Sequence, residues 1–310
     1  MKLDLFNDLD DNKELMDFAL EVNWIKTNPN ELFLQQYQET MRKENPNRPT
    51  KPGFIRPSSL SECVRKMTFE YLAMPEESVY DGTPRIGESG TDAHSRIQNY
   101  IIKMKEHGFD VEYMSVRDYL NKFPREDLEI LDEAKDHIVQ KVDVENNEIT
   151  YLDNGKERVS NLTAYMERYR GPETLLYNKR THSRFKADGI VFYKGEYYIL
   201  EIKTENAKKY GSHSKTLEPH EKHKLQGSYY GMSFGIDKVM FLYENRDNCA
   251  TFITIYDITT AMKNKLNRLI EDVLWYGEHN QIAPRTIDKN ECRFCPYQAR
   301  CAGIGESIPR

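Results

Sequence analysis

No run of apolar residues in this chain approaches the roughly 18 to 20 that a membrane helix needs, although 38% of the residues are hydrophobic. The N-terminal stretch MKLDLFNDLDDNKE is acidic and has no apolar h-region. No secretory leader is therefore expected, and the expected location is cytoplasmic, with no membrane partner. Internal repeats and low-complexity tracts are also missing. So is G-x-x-x-x-G-K-[ST], which removes a P-loop ATPase or helicase motor from consideration. Cysteine is scarce, and its count of five is odd. In a reducing compartment this excludes a disulfide framework and leaves metal ligation or ordinary buried thiols. There is no basic excess, since 44 Lys and Arg stand against 50 Asp and Glu, a net charge of −6.

What charge there is, however, is segregated. Residues 126–157 hold eleven acids and three lysines. NKRTHSRFK (178–186) has four Lys or Arg and no acid, and KTENAKKYGSHSKTLEPHEKHK (203–224) has six Lys and three His. A local basic face can serve phosphates while the rest of the molecule stays acidic.

At 310 residues the chain can bury one large core or two modest ones. Residues 1–52 read as a helical N-terminal extension ending in the Pro-rich linker NPNRPTKPG (45–53). In SSLSECVRKMTFEYLAM, Ser59 and Glu62 form a capping-box pattern that predicts a helix with Cys63 in its first turn. A second helix is expected after the Gly-rich IGESG, with His94, Ile97, Ile101 and Met104 on one face. The acidic stretch 109–180 gives no clear pattern and reads as an insertion. RFKADGIVFY, KGE and YYILEIKTE then predict a β-hairpin with Gly195 at its turn. A helix over about 218–234, the strands KVMFLYEN and ATFITIYDI, and the amphipathic helix KNKLNRLIEDVLWYGEHN complete the pattern. This order points to α/β with a mixed sheet.

The hairpin carries the chemistry. With Lys194–Gly195 as a two-residue turn, Phe192 faces Tyr197, Ile190 faces Ile199 and Asp188 faces Glu201. Opposed side chains on one face have Cβ atoms about 4.5–5.5 Å apart, so two carboxylates there repel unless a cation lies between them. Lys203, two residues past Glu201, shares that face, while Ile202 points to the other. Two acids and a lysine on one sheet face suit Mg²⁺, which takes oxygen ligands and activates water against a phosphate. Against this stands the plainer reading of a surface Glu–Lys ladder. Gln226 and Tyr230 in QGSYY lie four apart on the following helix and share its face. Cys292, Cys295 and Cys301 crowd into ECRFCPYQARCAG, and a fourth thiol in a matching context is Cys63, more than 200 residues upstream. Spacing alone leaves zinc and an iron–sulfur cluster equally open. Cys249 matches nothing and reads as an ordinary thiol.

GTDAH (90–94), ADGIVFYKGEYYILEIK (187–203) and QGSYY (226–230) resemble the RecB-like branch of the PD-(D/E)XK nuclease superfamily. The order His, Asp, Glu-x-Lys, Gln-x-x-x-Tyr is that branch's pattern, and Ala187 stands where the family name has Pro. The resemblance spans roughly 55–303. It implies a restriction-endonuclease-like core within a nuclease domain over 53–310. It further implies Mg²⁺ or Mn²⁺ held by His94, Asp188, Glu201 and the Ile202 carbonyl, with Lys203 as catalytic lysine and Gln226 and Tyr230 in support. One Cys upstream and C-x2-C-x5-C downstream resembles the branch's iron–sulfur members, which implies a [4Fe–4S] cluster on Cys63, Cys292, Cys295 and Cys301. The implied activity is metal-dependent exonucleolytic cleavage at DNA ends, single-stranded DNA foremost, in recombination, repair or phage DNA metabolism. A homo-oligomer or a helicase or recombination partner is compatible with this. Two alternatives share the motifs: an end-trimming subunit of a CRISPR-adaptation complex, and a non-catalytic Cys₄ DNA-binding module.

Overall fold

The computed structural model describes residues 29–44, 52–61, 63–75, 83–131, 137–153, 155–170, 173–285, 292 and 295–304. Glu62 of the expected capping box, most of the Pro-rich linker, and the helices expected before residue 29 lie outside the described residues. The chain divides into two compact units, Met1–Pro49 and Thr50–Arg310. Within the first, helix α1 spans Pro29–Glu44 and exposes Leu32, Phe33, Leu34 and Tyr37.

The second unit opens with a 3₁₀ turn at Pro57–Ser59 and helix α2, Val64–Tyr71. Here the expected capping box gives way. Ser59 closes the 3₁₀ turn and Cys63 is itself the N-cap of α2, with no side-chain capping bond. Pro57 at the start of the turn fixes φ for a tight 3₁₀ start, and the chain must turn again before α2 begins. Helix α3, Thr83–Met104, takes in the IGESG stretch expected to precede it. Strand β1 (Val111–Met114), α4 (Val116–Lys122) and β2 (Leu128–Ile130) follow. Next come β3 (Ile138–Asp143), β4 (Glu148–Asp153), β5 (Lys156–Asn161) and α5 (Leu162–Arg170). Then come β6 (Leu176–Asn178) and β7 (Ser183–Phe185). The remainder is β8 (Gly189–Tyr193), β9 (Glu196–Glu205), α6 (Ala207–Thr216), α7 (Glu221–Phe234), β10 (Lys238–Asn245), β11 (Thr251–Asp257), α8 (Thr260–Glu278) and α9 (Gln298–Ile304).

The fold is α/β. Its main sheet has the order β1-β8-β9-β10-β11, with β9–β10 parallel and the other pairs antiparallel. Helices flank it. Ile190, Ile199, Val239 and Phe241 pack with Leu225, Tyr229 and Phe234 of α7 and with Leu266, Ile270 and Val273 of α8. On the other face Val191, Leu200, Ile202 and Leu242 meet Ile97 and Ile101 of α3. Strand β9 is thus covered on both sides, and an acid or lysine on it is held in a largely dry setting. Stretch 109–180 is not a plain insertion. It supplies the edge strand β1 of the main sheet and, with β7, the small sheet β2-β6-β7, while β3-β4-β5 form a sheet of their own. These strands are only three to six residues long, and β3 and β5 are mostly exposed, so their apolar alternation is too brief to read from sequence.

Candidate active site

The β8–β9 hairpin has the register that its residues predict. Phe192 pairs with Tyr197 and Ile190 with Ile199, and the ladder runs to Gly189 opposite Leu200. Lys194 and Gly195 have φ of 49° and 82°, as a two-residue turn with both central residues left-handed requires. One step past Gly189, Asp188 enters at the level of Glu201. Gly189 has φ of 141°, and a Cβ there would lie 2.5 Å from the Tyr113 ring. That close approach lets the Tyr113 hydroxyl donate to the Asp188 carbonyl at 2.9 Å, and Gln98 of α3 donates to the same oxygen at 2.7 Å.

With its main chain pinned, Asp188 presents its carboxylate in two directions. Oδ2 accepts the Ile202 N–H at 2.6 Å, and Oδ1 lies 3.1 Å from Nδ1 of His94. His94 also approaches Glu173 at 3.9 Å. Among the described residues, His94, Glu173 and Asp188 form the group of donor atoms that converge within 4.8 Å of one another. Burial opposes a charge on His94, but bonds to Asp188 and Glu173 outweigh it and lift its pKa to about 10. The imidazolium thus occupies the position of a cation between two carboxylates. A divalent ion fits that place and would displace the proton, because ligation needs neutral imidazole.

Glu201 is 1% exposed. Its Oε1 lies 2.6 Å from Lys203 Nζ, and its Oε2 is buried with no hydrogen-bond partner. Such an orphan carboxylate oxygen is costly and calls for a cation or a proton. Burial raises the Glu201 pKa to about 7, an effect that Lys203 offsets in part and the Asp188 charge reinforces. Lys203 Nζ also donates to Gln226 Oε1 at 2.9 Å, and Gln226 Nε2 donates to Tyr230 at 3.0 Å. Gly227 makes this chain of bonds possible. A Cβ on it would lie 2.9 Å from Phe241 and Val239, so glycine lets α7 settle onto β10 and bring Gln226 within reach of Lys203.

Comparison with known proteins gives distant likenesses. No family model matches the sequence, and no curated protein matches it. Among solved structures, the chain is similar to SSO0001, with 14% identity and a TM-score of 0.38 over 89% of this chain and 98% of that one. It is also similar to LHK-Exo in complex with dAMP, with 15% identity and a TM-score of 0.39 over 74% of this chain and 89% of that one. A structure of the same alkaline exonuclease from Laribacter hongkongensis gives 12% identity and a TM-score of 0.31, over 81% of this chain and 94% of that one.

Of the residues expected in the site, His94 and Asp188 meet, Glu201 and Lys203 meet, and Gln226 and Tyr230 extend the second pair. Ile202 contributes its main-chain N–H to Asp188. Glu201 stands outside the converging trio, whose third member is Glu173. Sequence reasoning missed Glu173, Gln98 and Tyr113. Gln98 was findable, lying four residues after His94 on one helix face. Glu173 and Tyr113 lie in the stretch whose pattern was unreadable.

The cysteines lie near the junction of α2 with the C-terminal segment. Arg65 donates to the Ala283 carbonyl at 2.8 Å and to Cys301 Sγ at 3.3 Å, and Phe69 meets Tyr297 edge-on at 5.2 Å. Cys63 is buried, and Cys292, Cys295 and Cys301 are half-buried. Burial raises the Cys295 pKa, and the nearby Cys63 and Cys292 add to it. Cys249 is exposed in the β10–β11 turn. Among the described residues no helix is long and apolar enough to cross a membrane.

Proposed function

We propose that this protein is a metal-dependent deoxyribonuclease of the PD-(D/E)XK superfamily, in its RecB-like iron–sulfur branch, which hydrolyses phosphodiester bonds at DNA ends. The observation that carries the reading is the buried Glu201 carboxylate. It has one oxygen on Lys203 and one without a partner, and it lies across the hairpin from Asp188. A bound Mg²⁺ or Mn²⁺ would polarise the phosphate and lower the pKa of the attacking water. His94, Asp188, Glu173, Glu201 and the Ile202 carbonyl are the residues that would hold it. Lys203 is held by two acceptors, Glu201 and Gln226, and an ammonium has three protons. The third is left for the water or a phosphate oxygen. Tyr230, through Gln226, keeps that ammonium in place. The lysines of 203–224 and the basic run 178–186 supply charge for the DNA path. Cleavage from an end, on single-stranded DNA foremost, is the substrate class this reading names.

The [4Fe–4S] cluster belongs to the same proposal, on Cys63, Cys292, Cys295 and Cys301. The Arg65–Cys301 and Phe69–Tyr297 contacts support it, since they bring α2 to the C-terminal cysteines. Its role would be structural, closing a loop of more than 200 residues. The test is cleavage of end-labelled single- and double-stranded DNA by anaerobically purified protein with Mg²⁺, Mn²⁺ or EDTA, beside Asp188→Ala. Metal-dependent degradation lost in the variant supports the reading. A folded, iron-loaded wild type that leaves both substrates intact refutes it.

A further inference from the structure

Strand β9 continues its charged face beyond Lys203. Glu205 is 5% exposed, and both its carboxylate oxygens lie 2.9 Å from Nδ1 of His213 on α6. Two more histidines stand beside it. His220 caps α7, and His223 lies in the first turn of that helix. Ring centroids are 6.0 Å apart for His213 and His220, and 5.5 Å for His220 and His223. Tyr243, the partner of Lys203 in the β9–β10 ladder, lies 5.9 Å from His213 and 5.7 Å from His223 by ring centroids. His223 precedes Gln226 by three residues and Tyr230 by seven, so the three share one face of α7. The histidines thus continue the line of the catalytic groups.

Hydrogen bonding fixes the His220 tautomer and is compatible with the same tautomer in His223. Nδ1 of His220 accepts the N–H of Lys222 at 3.2 Å. The Tyr243 hydroxyl lies 2.9 Å from Nδ1 of His223, and its proton given to that nitrogen leaves the ring's own proton on Nε2. With Nδ1 accepting in each, both neutral rings carry their remaining proton on Nε2. Among the described residues no hydrogen bond takes either of these protons. A protonated Nε2 cannot ligate a metal, but it can donate to an anion. The surroundings are positive. Burial and then the charges of Lys203, His213 and Lys209, with His220, push the His223 pKa down to about 3, and burial, His213, Lys222 and Lys209 lower that of His220. The nearby acids are committed elsewhere: Glu205 to His213, and Glu218 and Glu221 to Lys224 at 3.1 and 2.9 Å.

We propose that His220 and His223, backed by Lys209, form a subsite for a backbone phosphate of the DNA strand adjacent to the phosphate being cleaved. This rests on the nuclease reading for its ligand. Neutral imidazole donors in a positive field hold a phosphate by hydrogen bonds rather than by counterion release, and that difference can be measured.

The experiment is fluorescence anisotropy of a labelled oligothymidylate in EDTA, with the full chain and two variants. His220→Asn keeps an N-cap acceptor for α7. His223→Phe keeps a ring beside Tyr243. Each is expected to weaken binding about tenfold, as loss of one hydrogen bond to a charged group does. The slope of log K against log salt should stay as in wild type, whereas Lys209→Met should lower it by about 0.7. In the cleavage assay KM should rise more than kcat falls. Wild-type affinity in both histidine variants overturns the subsite even when the protein cleaves DNA. A fall in kcat at unchanged affinity also overturns it, since the histidines would then act on the reacting atoms. If the wild type binds with this histidine dependence yet never cleaves, the nuclease reading fails and the subsite stands. A folded wild type that binds no oligonucleotide refutes both.

Discussion

Lys203 on β9 and Gln226 on α7 meet across the sheet–helix interface, with Nζ donating to Oε1 at 2.9 Å. They are 23 residues apart in the chain. Together with Glu201 this bond fixes the ammonium at two of its three protons. Lys203→Met should therefore lower kcat by about 10²–10⁴, the range for a positioned proton-transfer group, with KM changed only a few-fold. Gln226→Ala should lower it less, because Glu201 still holds the lysine. Equal losses from the two changes would show that Gln226 does more than orient Lys203.

Glu173 lies in the converging trio with His94 and Asp188. Glu173→Gln should raise the Mg²⁺ or Mn²⁺ concentration for half-maximal activity by roughly tenfold to a hundredfold, the cost typical of disturbing groups that support a metal site. Activity at saturating metal should recover most of its wild-type value. An unchanged metal dependence would remove Glu173 from the site.

Without metal the protein should lose stability as pH rises. Glu201 keeps its proton up to about 7 when folded, against 4.5 when unfolded. Its contribution is thus present below 4.5 and lost between 4.5 and about 7. His94 acts in the same direction, its charge-dependent stability being lost as pH climbs from 6.5 to about 10. Thermal unfolding in EDTA from pH 5 to pH 9 should show a falling midpoint. Glu201→Gln should flatten the acidic half of that fall, and Mn²⁺ should raise the midpoint most at the alkaline end. A midpoint in EDTA that rises with pH over the whole range would contradict both assignments.

Cys295→Ala should lower bound iron and sulfide and reduce soluble yield, while Cys249→Ala should leave both alone. Metal analysis of anaerobically purified protein checks this. Zinc in place of iron would remove the cluster from the proposal.

Gly189→Ala places a methyl group against the Tyr113 ring on a backbone of φ 141°. Strain and overlap together should cost about 2–4 kcal/mol. Chemical denaturation measures this. Because Asp188 is pinned through the same tyrosine, activity should fall further than stability alone accounts for.

The sequence by itself determined the hairpin and its register. Two runs rich in β-branched and aromatic residues joined by Lys194–Gly195 leave few alternatives, because a slip of one residue would turn Glu201 to the α3 face and Ile202 to the α7 face. It likewise pointed to α7, and to α8, whose apolar residues recur at helical spacing. Tertiary structure decided the rest. Val111–Met114 and Leu176–Asn178 are too short to show a period, and they become strands because neighbouring edges pair with them. That pairing is what carries Tyr113 to Asp188. Glu173 and His94 are 79 residues apart in the chain and come together only in the folded molecule. The line of histidines along α6 and α7 likewise depends on how those helices lie against β9 and β10. Local chemistry names the hairpin's acids and lysine, whereas only long-range packing decides which other groups meet them.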